Sequence, residues 1–244
     1  MKLNILKCLT ANKLKILAIT LMFFDHFVSV FMPSGTVLKM MLRIPGRIVA
    51  PIICFLIAEG YFHTSNRKKY IIRLLIFAVI SHVPFIICFN YTSFFQTTSI
   101  IYTLAIGLIA LTIAKNEKIH IVLKIIAVIL CCVVTSNANW GYTAVLWIVF
   151  FGMFRGNLKL QIISFVIIGL LTYVDFGFFE PYYLSWHKFG IFLAIPFILM
   201  YNGKLGKKSE IIKWSFYIFY PLHLVVLYYL THHTTMSQFF IHYM

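Results

Sequence analysis

Asp25 and His26 stand side by side deep inside an otherwise apolar run, Leu14 to Met32 (LKILAITLMFFDHFVSVFM). An aspartate at the centre of a membrane-spanning helix costs about 2.5–3.5 kcal/mol on insertion scales, so ionisable groups at that depth mark ion or substrate paths and proton relays. Lys15 precedes His26 by eleven residues. Eleven steps of about 100° return a side chain to nearly the same helix face, with the two roughly 16 Å apart along the axis. One stripe would then carry a cation at the membrane surface and an imidazole near the midplane. His82 and His223 lie inside other apolar runs, and Tyr220 shares a helical face with His223. The plainer reading has Lys15 snorkelling to the interface and His26 satisfying a buried hydrogen bond.

These residues need elements to hold them, and the composition says which. Of 244 residues, 61% are hydrophobic and 11% charged, against about 25% charged in a soluble domain. The chain reads as an all-α polytopic membrane protein, one transmembrane domain over residues 1–244 with an interfacial N-terminal segment at 1–13. The net charge is +15, but the basic residues lie between apolar runs, where they set topology. No zinc-finger spacing or RNA-binding signature accompanies them, which argues against nucleic acid. Cys8, Cys54, Cys88, Cys131 and Cys132 lack C-x-x-C spacing and are odd in number, so neither a disulfide frame nor a metal site is expected.

Apolar windows give about nine spans, at 14–32, 47–63, 70–89, 98–114, 119–135, 140–154, 159–178, 188–201 and 214–231. Lys and Arg then alternate as the positive-inside rule requires, with the N-terminus in and the C-terminus out. Arg67, Lys68 and Lys69, then 115–118, 155–159 and 202–213, are inner connections; 90–97, 135–139 and 179–187 are outer ones without Lys or Arg. Residues 33–46 break the pattern: an outer loop carrying Lys39 and Arg43, with Arg47 opening the next span. Either this stretch re-enters the membrane, or its cations face a counter-charge or ligand.

Orientation converts position into depth at about 1.5 Å per residue. Asp25, His26, His82 and His223 fall near one central plane. A second layer near the inner surface holds Lys15, Glu59 and Arg73, where Glu59 is placed to neutralise either cation. Asp25 points about 100° away from His26 on a helix; Arg43, Arg47, His82 and His223 are its candidate partners. Pro51, Pro84, Pro196 and Pro221 interrupt apparent spans and kink them.

Several stretches resemble the TraX family, named for the F-plasmid pilin acetylase. They are LKILAITLMFFDHF, then RIPGRIVAPIICFLIAEGYFHTSNRKKYIIRLLIFAVISHVPF (Arg43–Phe85), then YNGKLG (Tyr201–Gly206) and FYIFYPLHLVVL (Phe216–Leu227). Residues 116–188 match mainly in hydropathy. Two positions depart from the family pattern, His82 and the Asn139 of NWGY, both of which are acidic in many members. The family is in turn similar to the acyltransferase-3 group, marked by a basic residue, ten intervening positions and a histidine in the first span, a spacing that Lys15 and His26 have.

The resemblance implies a multi-pass protein of a bacterial plasma membrane that moves an acyl group, typically acetyl from cytoplasmic acetyl-CoA, to an acceptor amine or hydroxyl on a pilin-like peptide or a surface glycan. Joined to the depth argument, it makes Lys15, Arg67, Lys68, Lys69 and Arg73, with Glu59, the coenzyme-binding group. His26 becomes the general base, Asp25, His223 and Tyr220 its companions, and Arg43, Arg47 and His82 polar groups lining or supporting the site. A single tunnel from the basic mouth to His26 is expected. Two other classes fit the same residues: a proton-coupled transporter, and a non-catalytic assembly factor for surface structures.

Overall fold

Small polar residues start the helices. Thr10 accepts the Lys13 N–H, Thr36 that of Lys39 and Asn66 that of Lys69, giving first-turn donors an acceptor. The computed structural model describes residues 7–94, 96–177, 186–207 and 209–233, which form helices joined by short connections. The helices are α1 (Ala11–Phe31), α2 (Val37–Arg47), α3 (Val49–His63), α4 (Arg67–Cys88), α5 (Ile100–Ala114), α6 (Ile121–Val134), α7 (Gly141–Met153) and α8 (Leu158–Gly177). A 3₁₀ segment (Trp186–Leu193), α9 (Ala194–Leu199) and α10 (Glu210–His233) follow. Among the described residues the only β-pairing is two isolated bridges, Leu9 with Tyr201 and Thr98 with Ala138.

The helices fall where the hydropathy placed the spans, with one correction. Residues 33–46 are not an open loop: Val37–Arg47 is a helix, broken from α3 only at Ile48. Its mixed run of Lys, Met, Arg and Pro averages to neither apolar nor polar, so a hydropathy window passes over it. Among the described residues, four helical segments are long and apolar enough to cross a membrane: Ala11–Phe31, Val37–His63, Arg67–Cys88 and Glu210–His232. Five shorter apolar ones accompany them. Leu9 and the start of α1 are stitched to the 200–207 segment by backbone bonds, Leu9 N–H to Met200 O (3.0 Å) and Asn202 N–H to Leu9 O (2.9 Å), and by Asn12 Nδ2 to Lys207 O (2.7 Å).

The core forms around α3, buried from Val49 to Glu59. Trp147, Ile148 and Phe151 of α7 and Leu104, Leu108 and Leu111 of α5 belong to the same core. At the other extreme, α6 has no buried residue; its exposed Ile, Leu and Val faces suit lipid rather than water. The 3₁₀ segment lies against α2 at Gly190, where a Cβ would meet the Ile44 carbonyl and Arg47. That close approach fixes the helix that carries the site's arginines.

Candidate active site

Arg43 and Arg47 lie one turn apart on α2 and share a face. Both reach Asp25 of α1, which is 6% exposed. Arg43 donates through Nε to Oδ1 (3.0 Å) and Nη2 to Oδ2 (3.2 Å); Arg47 Nη2 donates to Oδ1 (2.9 Å) and Oδ2 (2.8 Å). Gly46 makes the approach possible, because a Cβ there would fall inside the Asp25 side chain. One turn earlier, Lys39 Nζ donates to the Ser29 (2.9 Å) and Met32 (2.7 Å) carbonyls, satisfying the end of α1 as a cation should. All three cations that break the topology pattern are therefore spent on α1. Two guanidiniums thus share one carboxylate.

His26 turns away from Asp25, as adjacent helical residues must, and meets His223 of α10, Nδ1 to Nε2 at 2.7 Å. The rings are within 13° of parallel, with centroids 5.0 Å apart. Behind them, His223 Nδ1 lies 2.8 Å from the Phe219 carbonyl. Phe89 and Tyr220 present edges to His26 at 5.3 and 6.5 Å. Tyr220 is buried. His26, Phe89 and Tyr220, but not His223, line a chamber of about 270 Å³, with Asp25, Arg43, Arg47 and Asn139 on its wall.

Among the lining residues that the sequence reading does not assign to a site are Phe89, Tyr91 and Trp140. The NWGY turn that supplies the last has a visible signal in its Trp-Gly pair. Trp140 adopts φ 63° and Gly141 φ 35°, a left-handed run costly for a bulky side chain. The turn is held by Asn139 N–H to Thr98 O (2.9 Å) and Thr103 Oγ1 to Asn139 O (3.0 Å).

His82 does not join the histidine pair. Its Nε2 lies 2.8 Å from the Phe94 carbonyl and its ring packs edge-on against Phe94. The inward stripe of α4 runs through Leu74, Ala78, Ser81 and Phe85, and His82 is off that stripe.

Toward the other end of the bundle a larger chamber, about 600 Å³, is lined by Lys15, Lys69, Arg73, Lys207, Lys213 and Tyr217 among others. Arg67 sits instead over the Tyr61 ring, 4.2 Å from its centroid, and Lys68 does not line the chamber. Lys207 and Lys213 belong to the 202–213 connection, where the sequence assigns positive charge to topology alone. Glu59 reaches the chamber wall, but its carboxylate is matched by Arg155 (Nε 2.8 Å), with Tyr201 Oη at 3.3 Å and His63 Nε2 at 3.4 Å, rather than by Lys15 or Arg73. Common depth could not reveal that partner, since α3 and Arg155 are 96 residues apart.

The expected single tunnel is two chambers. No residue lines both. On α3 the linings stop at Ala50 and Ile53, and on α10 at Tyr220 and Tyr217, only three residues or about 4.5 Å of helix rise apart. Ala18 of α1 and Ala78 and Ser81 of α4 occupy the intervening levels and are buried. Among the described residues no group of three His, Cys, Asp or Glu could hold a metal ion.

Residues 10–231 match the TraX protein family. A relative from Dichelobacter nodosus, named probable fimbrial assembly protein FimC, serogroup H1, is 32% identical over 232 residues, which is 89% of this chain and 94% of the relative. No solved structure matches. On the family match and the near full-length relative together, the chain belongs to the TraX family.

Proposed function

We propose that the chain is an integral membrane acyltransferase of the plasma membrane, crossing it nine times with the N-terminus inside. It moves an acetyl group from cytoplasmic acetyl-CoA to an amine or hydroxyl at the outer half of the bilayer. The acceptor is a pilin-like peptide or a surface glycan. The observation that carries this reading is the imidazole of His26 on the wall of a polar chamber inside an apolar bundle, paired with a second imidazole and flanked by a cationic cluster.

In this reading the larger chamber receives the coenzyme. Its lysines and Arg73 offer charge to phosphates, Arg in a bidentate geometry and Lys as a point charge. His26 takes the proton from the acceptor as it attacks the thioester carbonyl, a role worth about 10²–10⁴-fold. Developing negative charge on the carbonyl oxygen falls near the Arg43 and Arg47 guanidiniums on the chamber wall, cations that suit an oxyanion. Tyr220 orients the acceptor. The thioester reaches His26 when the thin wall between the chambers opens.

The test is acetyl transfer from labelled acetyl-CoA in reconstituted vesicles, together with mass spectrometry of surface peptides and glycans for a missing acetyl increment. His26→Ala should abolish transfer with membrane abundance unchanged. Substantial acetylation by that variant would refute the assignment of His26. A second reading, a non-catalytic assembly factor, draws on the separation of the two chambers and on the fimbrial assembly name of the relative. It requires His26→Ala to support surface assembly as well as the wild type does.

A further inference from the structure

An imidazole acts as a base only through a nitrogen without a hydrogen, and a neutral ring has one nitrogen of each kind. The neighbours of the His26 pair decide which is which. His223 Nδ1 lies 2.8 Å from the Phe219 carbonyl, one helical turn back. Carbonyl oxygens only accept, so His223 Nδ1 carries the hydrogen, and in the uncharged ring its Nε2 is bare. That bare nitrogen faces His26 Nδ1 at 2.7 Å, which must therefore donate. One nitrogen remains bare in this chain of bonds, His26 Nε2, on the far side of a ring that lines the chamber.

We propose that His223 is a positioning residue that holds His26 in the tautomer with a bare Nε2 and takes up the positive charge once that nitrogen is protonated. The chemical step rests on the acyltransferase reading. The acceptor X–H gives its proton to His26 Nε2 while X bonds to the thioester carbonyl carbon. The hydrogen on His26 Nδ1 shifts across the 2.7 Å bond to His223 Nε2, so the charge leaves the ring nearest the reaction. His26 now carries its hydrogen on Nε2 and none on Nδ1. When the C–S bond breaks, Nε2 returns its proton to the departing thiolate, the hydrogen shared with His223 shifts back, and the pair regains its starting form. The products are acetylated acceptor and free thiol, with no proton gained or lost. One nitrogen thus serves as base and then acid, and the second imidazole is what lets it do both without a full charge remaining beside Arg43 and Arg47.

The experiment is ¹⁵N NMR of histidine-labelled protein in bilayers at neutral pH, with no acyl donor present and the His26 signals assigned by difference from His26→Asn. A pyrrole-type Nδ1 and a pyridine-type Nε2 on His26 are expected. His223→Leu should mix the two tautomers. His223→Gln should keep the wild-type pattern, because its amide oxygen can accept where Nε2 did. In turnover His223→Leu should lose about 10²-fold, the lower end of a general-base contribution, and His223→Gln should recover part of that loss, since it holds the tautomer but cannot carry the charge. A pyridine-type Nδ1 on His26 in the wild type would overturn the proposal, as would an unmixed tautomer in His223→Leu. Transfer by His223→Leu at the wild-type rate would do the same. The spectra need no substrate, so the expected tautomer in a protein that transfers no acetyl would support the pair's geometry while removing the acyltransferase reading.

Discussion

Replacing Asp25 with Asn removes one negative charge and leaves two guanidiniums facing each other across a buried site. The side chain keeps its size, so the loss is electrostatic. In the wild type both Asp25 oxygens accept from both arginines, four bonds between 2.8 and 3.2 Å. Breaking a buried ion pair from one side costs about 3–5 kcal/mol. The side chains of Arg43 and Arg47 are 24% and 15% exposed, so some of each charge is solvated and the lower end, about 3 kcal/mol, is expected. Asn adds a second penalty, because its amide hydrogens meet donors. Neutralising one arginine as well, in Asp25→Asn with Arg43→Gln, should be less destabilising than the two single changes summed, with a coupling of about 0.5–3 kcal/mol. The assay is unfolding of purified protein in mixed micelles, followed through the four tryptophans, for the wild type, both single variants and the double. If Asp25→Asn unfolds within about 0.5 kcal/mol of the wild type, as a surface substitution would, the triad does not hold α2 against α1.

Gly46→Ala should destabilise by about 1–3 kcal/mol through overpacking against Asp25, and thermal unfolding at the wild-type temperature would show that α2 has room to shift. Charge reversal at Lys15, on the wall of the larger chamber, should weaken acyl-CoA binding by about tenfold at low ionic strength and by less at high salt, since partly exposed charges are screened. Binding titrations at two salt concentrations that match the wild type would leave Lys15 as an interfacial anchor.

Hydropathy is a property of sequence distance, so the positions of the helices were legible. The arginine–aspartate cluster was legible for a different reason. Lys39, Arg43 and Arg47 broke a topology pattern, and a cation in the wrong place asks for a counter-charge; Asp25 supplies it. Depth brought His26 and His223 to one level, and the structure puts them in contact. Depth gave the same level to His82 and could not say that its ring points off the inward stripe of α4 toward Phe94. Rotation about an axis needs a partner helix, which one chain of letters does not name. The same gap hid Arg155 as the partner of Glu59: both ends lay at the inner surface, but several cations did too. The helix α2 was hidden by its composition, and Gly46 became meaningful only once Asp25 was known to lie against it.

A pore joining a cytoplasmic mouth to an outer chamber would short-circuit the proton gradient of the membrane it crosses. Two chambers that end one helical turn apart avoid this. The wall between them suits brief opening, because Ala18 and Ala78 present small side chains there and the buried Ser81 Oγ has no hydrogen-bond partner to lose. Two of the helices along it, α4 and α10, carry Pro84 and Pro221 within their length, where a missing N–H weakens the helix against bending. The charge arrangement fits the same division. On the proposed acyltransferase reading, the lysines and Arg73 on one side would meet phosphates that stay in the cytoplasm, while beyond the wall the cations are engaged with Asp25 and the end of α1. A thioester arm passing the wall would leave its charged end behind and bring only a neutral, slender group to the histidine pair.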